Sequence, residues 1–444
     1  MRRGLLAAAA LAALSVLLVA PAPSYDPWAW LLWGREIAGG ALDTREGPAF
    51  KPGPVAVCAV LAPLGGAAPV AWVWLVRTAA VVALWLAFRL GRRLGGSVLA
   101  GVMAAGGVAL CGRFLAYSAA GAEPAVLLAL ALGGLEAWRG GRHRLALACA
   151  VGCGLVRVET WPFLLVAAAV LGRREPRRRP ALAAAAVLVP AAWFVPEWVG
   201  SGDVLRSGGR ARVPNPGQPA LADVPALASL GDATTLLLWP LWLGVAAILG
   251  AAVTRARGAA LRALLPAAAG GAWVLLVAGM AQAGFSGEAR YALPGVAGLA
   301  ISGAAGLALV ARRAPRPALA AALAAVVVAL PAAERAGALP AVRAAQAYQW
   351  RLASELADVV DAAGGRAAVL ACGRPYVGPY RGPLMAYRLA VPKVAVEPDA
   401  RPRPPGVVFE SALTARAAPT PSGPPGARTV ARSSLWRVRA ACPY

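Results

Sequence analysis

Residues 145–172 read LALACAVGCGLVRVETWPFLLVAAAVLG, an apolar run broken in its middle by Arg157-Val158-Glu159. Basic runs close it on both sides, Arg139 to Arg144 before and Arg173 to Arg179 after. A helix crossing the hydrocarbon core needs about 20 apolar residues, so the run is too long for one span. Charges halfway along a single span would also be costly in lipid. It reads as two short helices that go out and come back, with the charged turn on the side opposite the arginines. A chain with such a hairpin is threaded through a membrane.

The rest of the chain agrees. Of 444 residues, 59% are hydrophobic and 14% charged, with a mean hydropathy of +0.63. Soluble domains average about 45–50% apolar and about 25% charged residues. Further apolar stretches fall near 4–22, 69–89, 95–112, 122–138, 181–198, 236–254, 263–282, 291–311 and 317–333. With the hairpin, the expectation is a mostly α, polytopic membrane protein of about eleven transmembrane helices. A net charge of +24 does not indicate nucleic acid, whose binders gather their charge on one solvated face. Here the arginines sit in short runs between apolar stretches: Arg2-Arg3, Arg89 to Arg93, Arg139 to Arg144, Arg173 to Arg179, Arg255 to Arg262 and Arg312 to Arg316. All fall on one side of this topology, which the positive-inside rule makes cytoplasmic. The carboxylates, not used in that assignment, agree with it: of 20, only Glu136 and Glu175 fall inside. Residues 1–23 read either as an uncleaved first helix or as a cleaved signal peptide. Both place the following residues outside.

Three outer segments result. The first, 24–54, begins as a helix opened by Asp26 as N-cap with Pro27 at its first position, and Trp28, Trp30 and Trp33 mark it as interfacial. The second, 199–235, is a Gly- and Pro-rich loop, either a mobile substrate loop or a connector. The third, 334–444, follows the transmembrane region 1–333. It carries an amphipathic helix over 341–363 and strand-like runs at 366–372, 407–410 and 434–441, the pattern of a small extracytoplasmic α/β domain. In an oxidising outer compartment Cys372 and Cys442, each at the end of an expected strand, are candidates for a disulfide. Cys58, Cys111, Cys149 and Cys153 lie in apolar stretches, where cysteine is a small hydrophobe. No cysteine spacing suggests a metal, and with His143, in a solvated loop, the only histidine, a His-based triad or His-ligated zinc is not expected.

Asp26, Arg35, Glu36, Asp43, Glu46, Lys51, Glu123, Arg157, Glu159 and Arg290 all fall at the outer ends of apolar stretches. Singly, each has an ordinary explanation as a cap, an interfacial edge or a structural ion pair. Together they mix carboxylates and cations at one membrane face, which suits chemistry on a phosphate-linked substrate better than ion conduction. Of the 44 basic residues only Lys51 and Lys393 are lysines. In a chain whose Ala, Gly, Arg and Pro bias is that of a GC-rich bacterial genome, each lysine is notable.

Asp26, then Gly34-Arg35-Glu36-Ile37-Ala38, Gly40-Ala41-Leu42-Asp43 and Phe50-Lys51-Pro52, follow one another in an order that resembles the first periplasmic loop of the C-type (GT-C) glycosyltransferases, in particular the aminoarabinose transferase and protein O-mannosyltransferase branch. Leu155-Val156-Arg157-Val158-Glu159 is similar to that family's Leu-Arg-Pro-Glu-like turn. Arg290-Tyr291-Ala292-Leu293-Pro294 is similar to the Arg-Tyr-x-x-Pro opening of a late helix. The resemblance covers about residues 1–333, and the tail matches in position only. Two departures stand out: the acidic pair often present at the first site is here Asp26-Pro27, so a second carboxylate must come from Asp43 or Glu46, and Lys-Pro-Pro is Lys51-Pro52-Gly53.

The resemblance implies transfer of a sugar from a polyprenyl-phosphate donor to a glycan, lipid or protein hydroxyl at the outer leaflet. Asp26 would serve as general base and so invert the anomeric carbon. Lys51, helped by Arg157 and Arg290, would stabilise the departing phosphate. Arg35, Asp43, Glu46, Glu123, Glu159 and Tyr291 would support them. No metal-ligand set and no cofactor is assigned, and a divalent cation is left open. The competing readings are a lipid or glycan transporter or flippase, disfavoured by the lack of a clear repeat, and a catalytically inactive scaffold of the same fold.

Overall fold

The computed structural model describes residues 2–253, 257–398 and 401–442. Arg255, counted above in a basic run, lies outside them. The chain runs through α1 (Arg2–Leu18), α2 (Tyr25–Ala38) and α3 (Pro52–Leu61), the last two carried by the first outer segment. Next come α4 (Ala68–Gly95), α5 (Val98–Ala109), the short α6 (Phe114–Ala119) and α7 (Pro124–Arg139). The hairpin expected over 145–172 is α8 (His143–Val156) and α9 (Trp161–Arg174), joined by a 3-10 turn over Val158–Thr160. Then follow α10 (Arg179–Ser201), α11 (Arg206–Ala211), α12 (Pro225–Leu236), α13 (Trp239–Val253), α14 (Arg257–Gln282), α15 (Ala289–Arg313) and α16 (Pro317–Ala336).

A helix occupies each of the eleven expected span positions. Among the described residues, five helical stretches are long and apolar enough to cross a membrane by themselves, six if α12 and α13, bent by 102°, count as one span. The hairpin helices have 14 residues each and α5 has 12, below the roughly 17–25 that a full crossing needs. The outward faces of the bundle's helices are apolar all the same. Leu17 is 83% exposed, and Leu165, Val187, Leu265 and Leu330 are exposed too, a surface that suits lipid and not water.

The interior is built on α15, the most enclosed of the long helices. Glycines bring its backbone against its neighbours: a Cβ on Gly303 would stand 2.3 Å from the Leu241 carbonyl, and one on Gly306 would stand 2.0 Å from that of Gly244. Small residues at helix contacts are how membrane helices gain van der Waals packing without a hydrophobic drive. The two carboxylates assigned to the inner side sit among the arginines of that side. Glu136 pairs with Arg89 and Arg93, and Glu175 with Arg178 and His143.

The C-terminal part comprises α17 (Leu339–Ala362), α18 (Gly365–Ala371), β1 (Arg374–Tyr376), α19 (Gly382–Leu389), β2 (Gly406–Ala412), β3 (Pro419–Thr420), β4 (Arg428–Arg432) and β5 (Arg437–Ala441). The strands stand in the order β1-β2-β5-β4, with β1 and β2 parallel and the others antiparallel; β3 pairs with the end of β2. Trp436 packs on Phe409 and donates to the Leu352 carbonyl at 2.8 Å, which ties α17 to the sheet. The expected strand over 366–372 is instead α18. Its Arg-Ala-Ala-Val-Leu-Ala composition favours helix, and the chain enters it through Gly364 and Gly365, both at positive φ. Cys372 and Cys442 are disulfide-bonded across a Cα separation of 5.0 Å.

Candidate active site

At the end of the bundle away from the arginine runs lies a cavity of about 1400 Å³. The first outer segment supplies one wall. Asp26 is not the N-cap of α2; that position is Ser24, and Asp26 lies in the first turn. Its carboxylate is drawn away from the backbone amides by Arg290, 3.2 Å away at the start of α15. Arg290 also pairs with Glu288 at 3.0 Å, and its guanidinium stands 5.1 Å from the Tyr291 ring centroid. Asp26, Glu288, Arg290 and Tyr291 all line the cavity.

Lys51 lines it too. As N-cap residue of α3, ahead of Pro52 at N1, it is presented where the helix backbone needs no donor. Its ammonium donates to Glu123 Oε1 at 2.6 Å and stands 5.2 Å from the Trp30 ring centroid. Glu123 is fully buried, and Arg157 Nη1 donates to the same oxygen at 3.0 Å. Arg157 also pairs with Glu159 and lies 4.0 Å from the Tyr291 ring centroid. The expected hairpin turn therefore does meet the first outer segment. It does so from behind: Arg157, Glu159 and Glu123 are buried and are not part of the cavity lining, whereas Lys51 and Arg290 face the open space.

The remaining expected residues divide. Glu46 lines the cavity and takes a 2.9 Å contact from Lys393 of the C-terminal part. Both lysines of the chain thus border this cavity, each against a carboxylate. Asp43 turns away and binds Arg45 at 2.5 Å. Arg35 donates to the Tyr387 carbonyl at 2.7 Å and lies over the Tyr387 ring, so it docks α19 onto α2 and does not reach the cavity. Next to it, burial pushes the Glu36 carboxyl up to about 7. Glu36 Oε2 accepts from the Asp43 amide at 3.0 Å, while Oε1 is buried without a partner. Burial, with Asp26 adjacent, also pushes the Tyr25 phenol up to about 12, so this cavity-lining hydroxyl keeps its proton.

Sequence reasoning missed Glu197, Arg206 and Ser207. The second outer segment is not a featureless loop: α11 opens with Arg206, which pairs with the buried Glu197 at 2.8 Å and lines the cavity. The signal was available, since Glu197 is a carboxylate inside an apolar stretch. Among the described residues no three His, Cys, Asp or Glu side chains are grouped to hold a metal. The nearby carboxylates are already matched: Asp26 with Arg290, Glu123 with Lys51 and Arg157, Glu46 with Lys393.

What the site offers chemically is several carboxylates and cations around one space, Asp26, Lys51 and Arg290 among them, at one end of a lipid-exposed bundle. No family model matches the sequence, and no curated protein does. Among solved structures, the chain is similar to ArnT from Cupriavidus metallidurans bound to undecaprenyl phosphate, with a TM-score of 0.54 and 14% identity, over 98% of this chain and 97% of that one. It is similar to the same protein in the apo state with a TM-score of 0.53 and 15% identity, over 99% and 98%. At such identity the likeness is one of fold, and it spans the whole chain, the C-terminal part included. The chain shares the fold of these structures.

Proposed function

We propose that this chain is a membrane glycosyltransferase of the bacterial cytoplasmic membrane. It moves a sugar from a polyprenyl-phosphate donor to an acceptor hydroxyl at the outer face, where the C-terminal part also lies. The observation that carries this reading is the placing of Asp26, Lys51 and Arg290 around one cavity, in a fold whose solved relative binds undecaprenyl phosphate.

In this reading the acceptor oxygen attacks the anomeric carbon from the face opposite the phosphate. Its proton passes to the Asp26 carboxylate, which Arg290 holds against the cavity wall. The bond from the anomeric carbon to the phosphate oxygen breaks, and the electron pair leaves with the polyprenyl phosphate. That product is a stable anion, so no general acid is required. It needs cations where charge develops: Lys51, with protons left beyond the one given to Glu123, and Arg290. Arg157 acts one step back, by holding Glu123. The anomeric centre inverts.

The acceptor, a glycan, lipid or protein, is identified by the assay itself. Membranes with and without the protein are supplied with labelled lipid-linked sugars, and the labelled product is characterised. Protein-dependent transfer to a defined acceptor supports the reading. Label carried unchanged across the bilayer points instead to a transporter, and no turnover of any donor points to a scaffold.

A further inference from the structure

Glu197 lies near the outer end of α10 and is 1% exposed. A carboxylate taken out of water is tolerated only where charge and hydrogen bonds replace the lost solvation, and its partners come from two outer segments that are distant in sequence. From the first, Thr44 Oγ1 donates to it at 3.1 Å. From the second, Arg206 donates through Nε at 2.8 Å and Nη2 at 3.1 Å, and the Ser207 hydroxyl donates as well.

These partners in turn grip the first segment. Arg206 Nη2 donates to the Pro48 carbonyl at 2.9 Å, and the Phe50 amide donates to Ser207 Oγ at 2.6 Å. The Thr44 amide donates to the Gly200 carbonyl at 3.1 Å, where a Cβ on Gly200 would strike Thr44 Oγ1 at 2.8 Å. Residues 44–50 are thus fixed at their start, near their middle and at their end. The next residue is Lys51.

We propose that Glu197 is a positioning residue that, through Arg206 and Ser207, fixes residues 44–50 and so sets Lys51 at the phosphate-binding end of the cavity. This rests on the function proposed above. Segment 44–50 has no secondary structure that would hold it, and Lys51, the residue directly after it, reaches Glu123. Loosening the tether leaves a flexible ammonium to find its place on each turnover, and catalysis is sensitive to misplacements of about 1 Å. The other anchor of Lys51, Glu123, fixes the tip of the side chain; the Glu197 cluster fixes the backbone from which it starts.

The test uses the purified full chain with undecaprenyl phosphate and, as a phosphate-free control, undecaprenol. The quantity read is the preference for the phosphate. In Glu197→Gln it is expected to fall about tenfold, with undecaprenol binding unchanged. A general loss of structure would lower both affinities together. Ser207→Ala removes only the hydroxyl between Glu197 and Phe50 and should lower the preference too, whereas Ser207→Thr, which keeps the hydroxyl, should restore it. Amide hydrogen exchange across residues 44–50 needs no ligand and should quicken in Glu197→Gln and Ser207→Ala. Unchanged exchange there overturns the tether, and quickened exchange with an intact phosphate preference overturns the positioning role. A wild-type chain with no preference for the phosphate overturns the proposed function itself, and this inference with it.

Discussion

Lys51 and Glu123 meet 2.6 Å apart, the ammonium 11% exposed and the carboxylate wholly buried. Few places are less forgiving of a lost partner. Glu123 keeps only Arg157 if Lys51 is removed, and the cavity loses the ammonium beside Glu123. Lys51→Met is expected to lower sugar transfer by about 10²- to 10³-fold, the usual loss when a donor aimed at developing charge is deleted. Lys51→Arg should not restore it, because a planar guanidinium does not substitute for a point-like ammonium. Turnover of labelled lipid-linked sugar measures both, and normal turnover in Lys51→Met removes this residue from the mechanism.

Asp26→Asn keeps the shape of the side chain and removes its basicity. Sugar transfer should drop by about 10²- to 10⁴-fold, while membrane insertion and the melting midpoint in detergent stay close to wild type. Full activity in this variant removes Asp26 as the base.

Glu123→Gln leaves the buried Arg157 and the part-buried Lys51 facing a neutral amide. Breaking a buried pair from one side costs about 3–5 kcal/mol, so the melting midpoint should fall clearly, and activity with it. A midpoint equal to wild type would show that Arg157 is sufficiently held by Glu159 alone.

The Glu36 carboxyl sits at about 7, above its ordinary 4.5, because burial penalises the charged form. Protonation is therefore favoured more in the folded chain than in the unfolded one. The contribution is fully present below pH 4.5 and is lost as pH rises towards 7, with stability falling across that window. Glu36→Gln should flatten this part of a melting-midpoint against pH curve. An unchanged slope between those values would assign the dependence to another group.

The disulfide joining Cys372 to Cys442 spans a sequence separation of 70 residues. Closing a loop of this size typically contributes about 2–4 kcal/mol. Cys372→Ser should therefore make the C-terminal part more susceptible to proteolysis, with the protease sites near β5 exposed first. Equal resistance of the variant and the wild type would show that the sheet holds without the bridge.

Much of the candidate site was legible because the membrane narrows the choices. Asp26, Lys51, Arg157 and Arg290 stand out as charges at the ends of apolar stretches, where lipid makes an ionisable group costly. What was not legible is which of them face open space. Arg157 and Arg290 look alike in sequence, yet one is packed behind the wall and the other lines it. Asp26 before Pro27 reads as a cap, and only Arg290, far along the chain, turns its carboxylate elsewhere. Residues 366–372 read as a strand because short apolar runs fit either state, and the packing of the C-terminal part resolved them into α18.

That this chain threads a membrane, which ends of its helices are basic, and which charged segments collect at the opposite end can all be read along the chain. Hydropathy and charge asymmetry carry that information locally, one stretch at a time. The pairings come from the packing of the folded chain: Lys51 with Glu123, Glu46 with Lys393, and Glu197 with both outer segments. A buried charge specifies that it must have a partner, but the partner is chosen by how helices and loops pack, and that choice has no signature in the neighbouring residues.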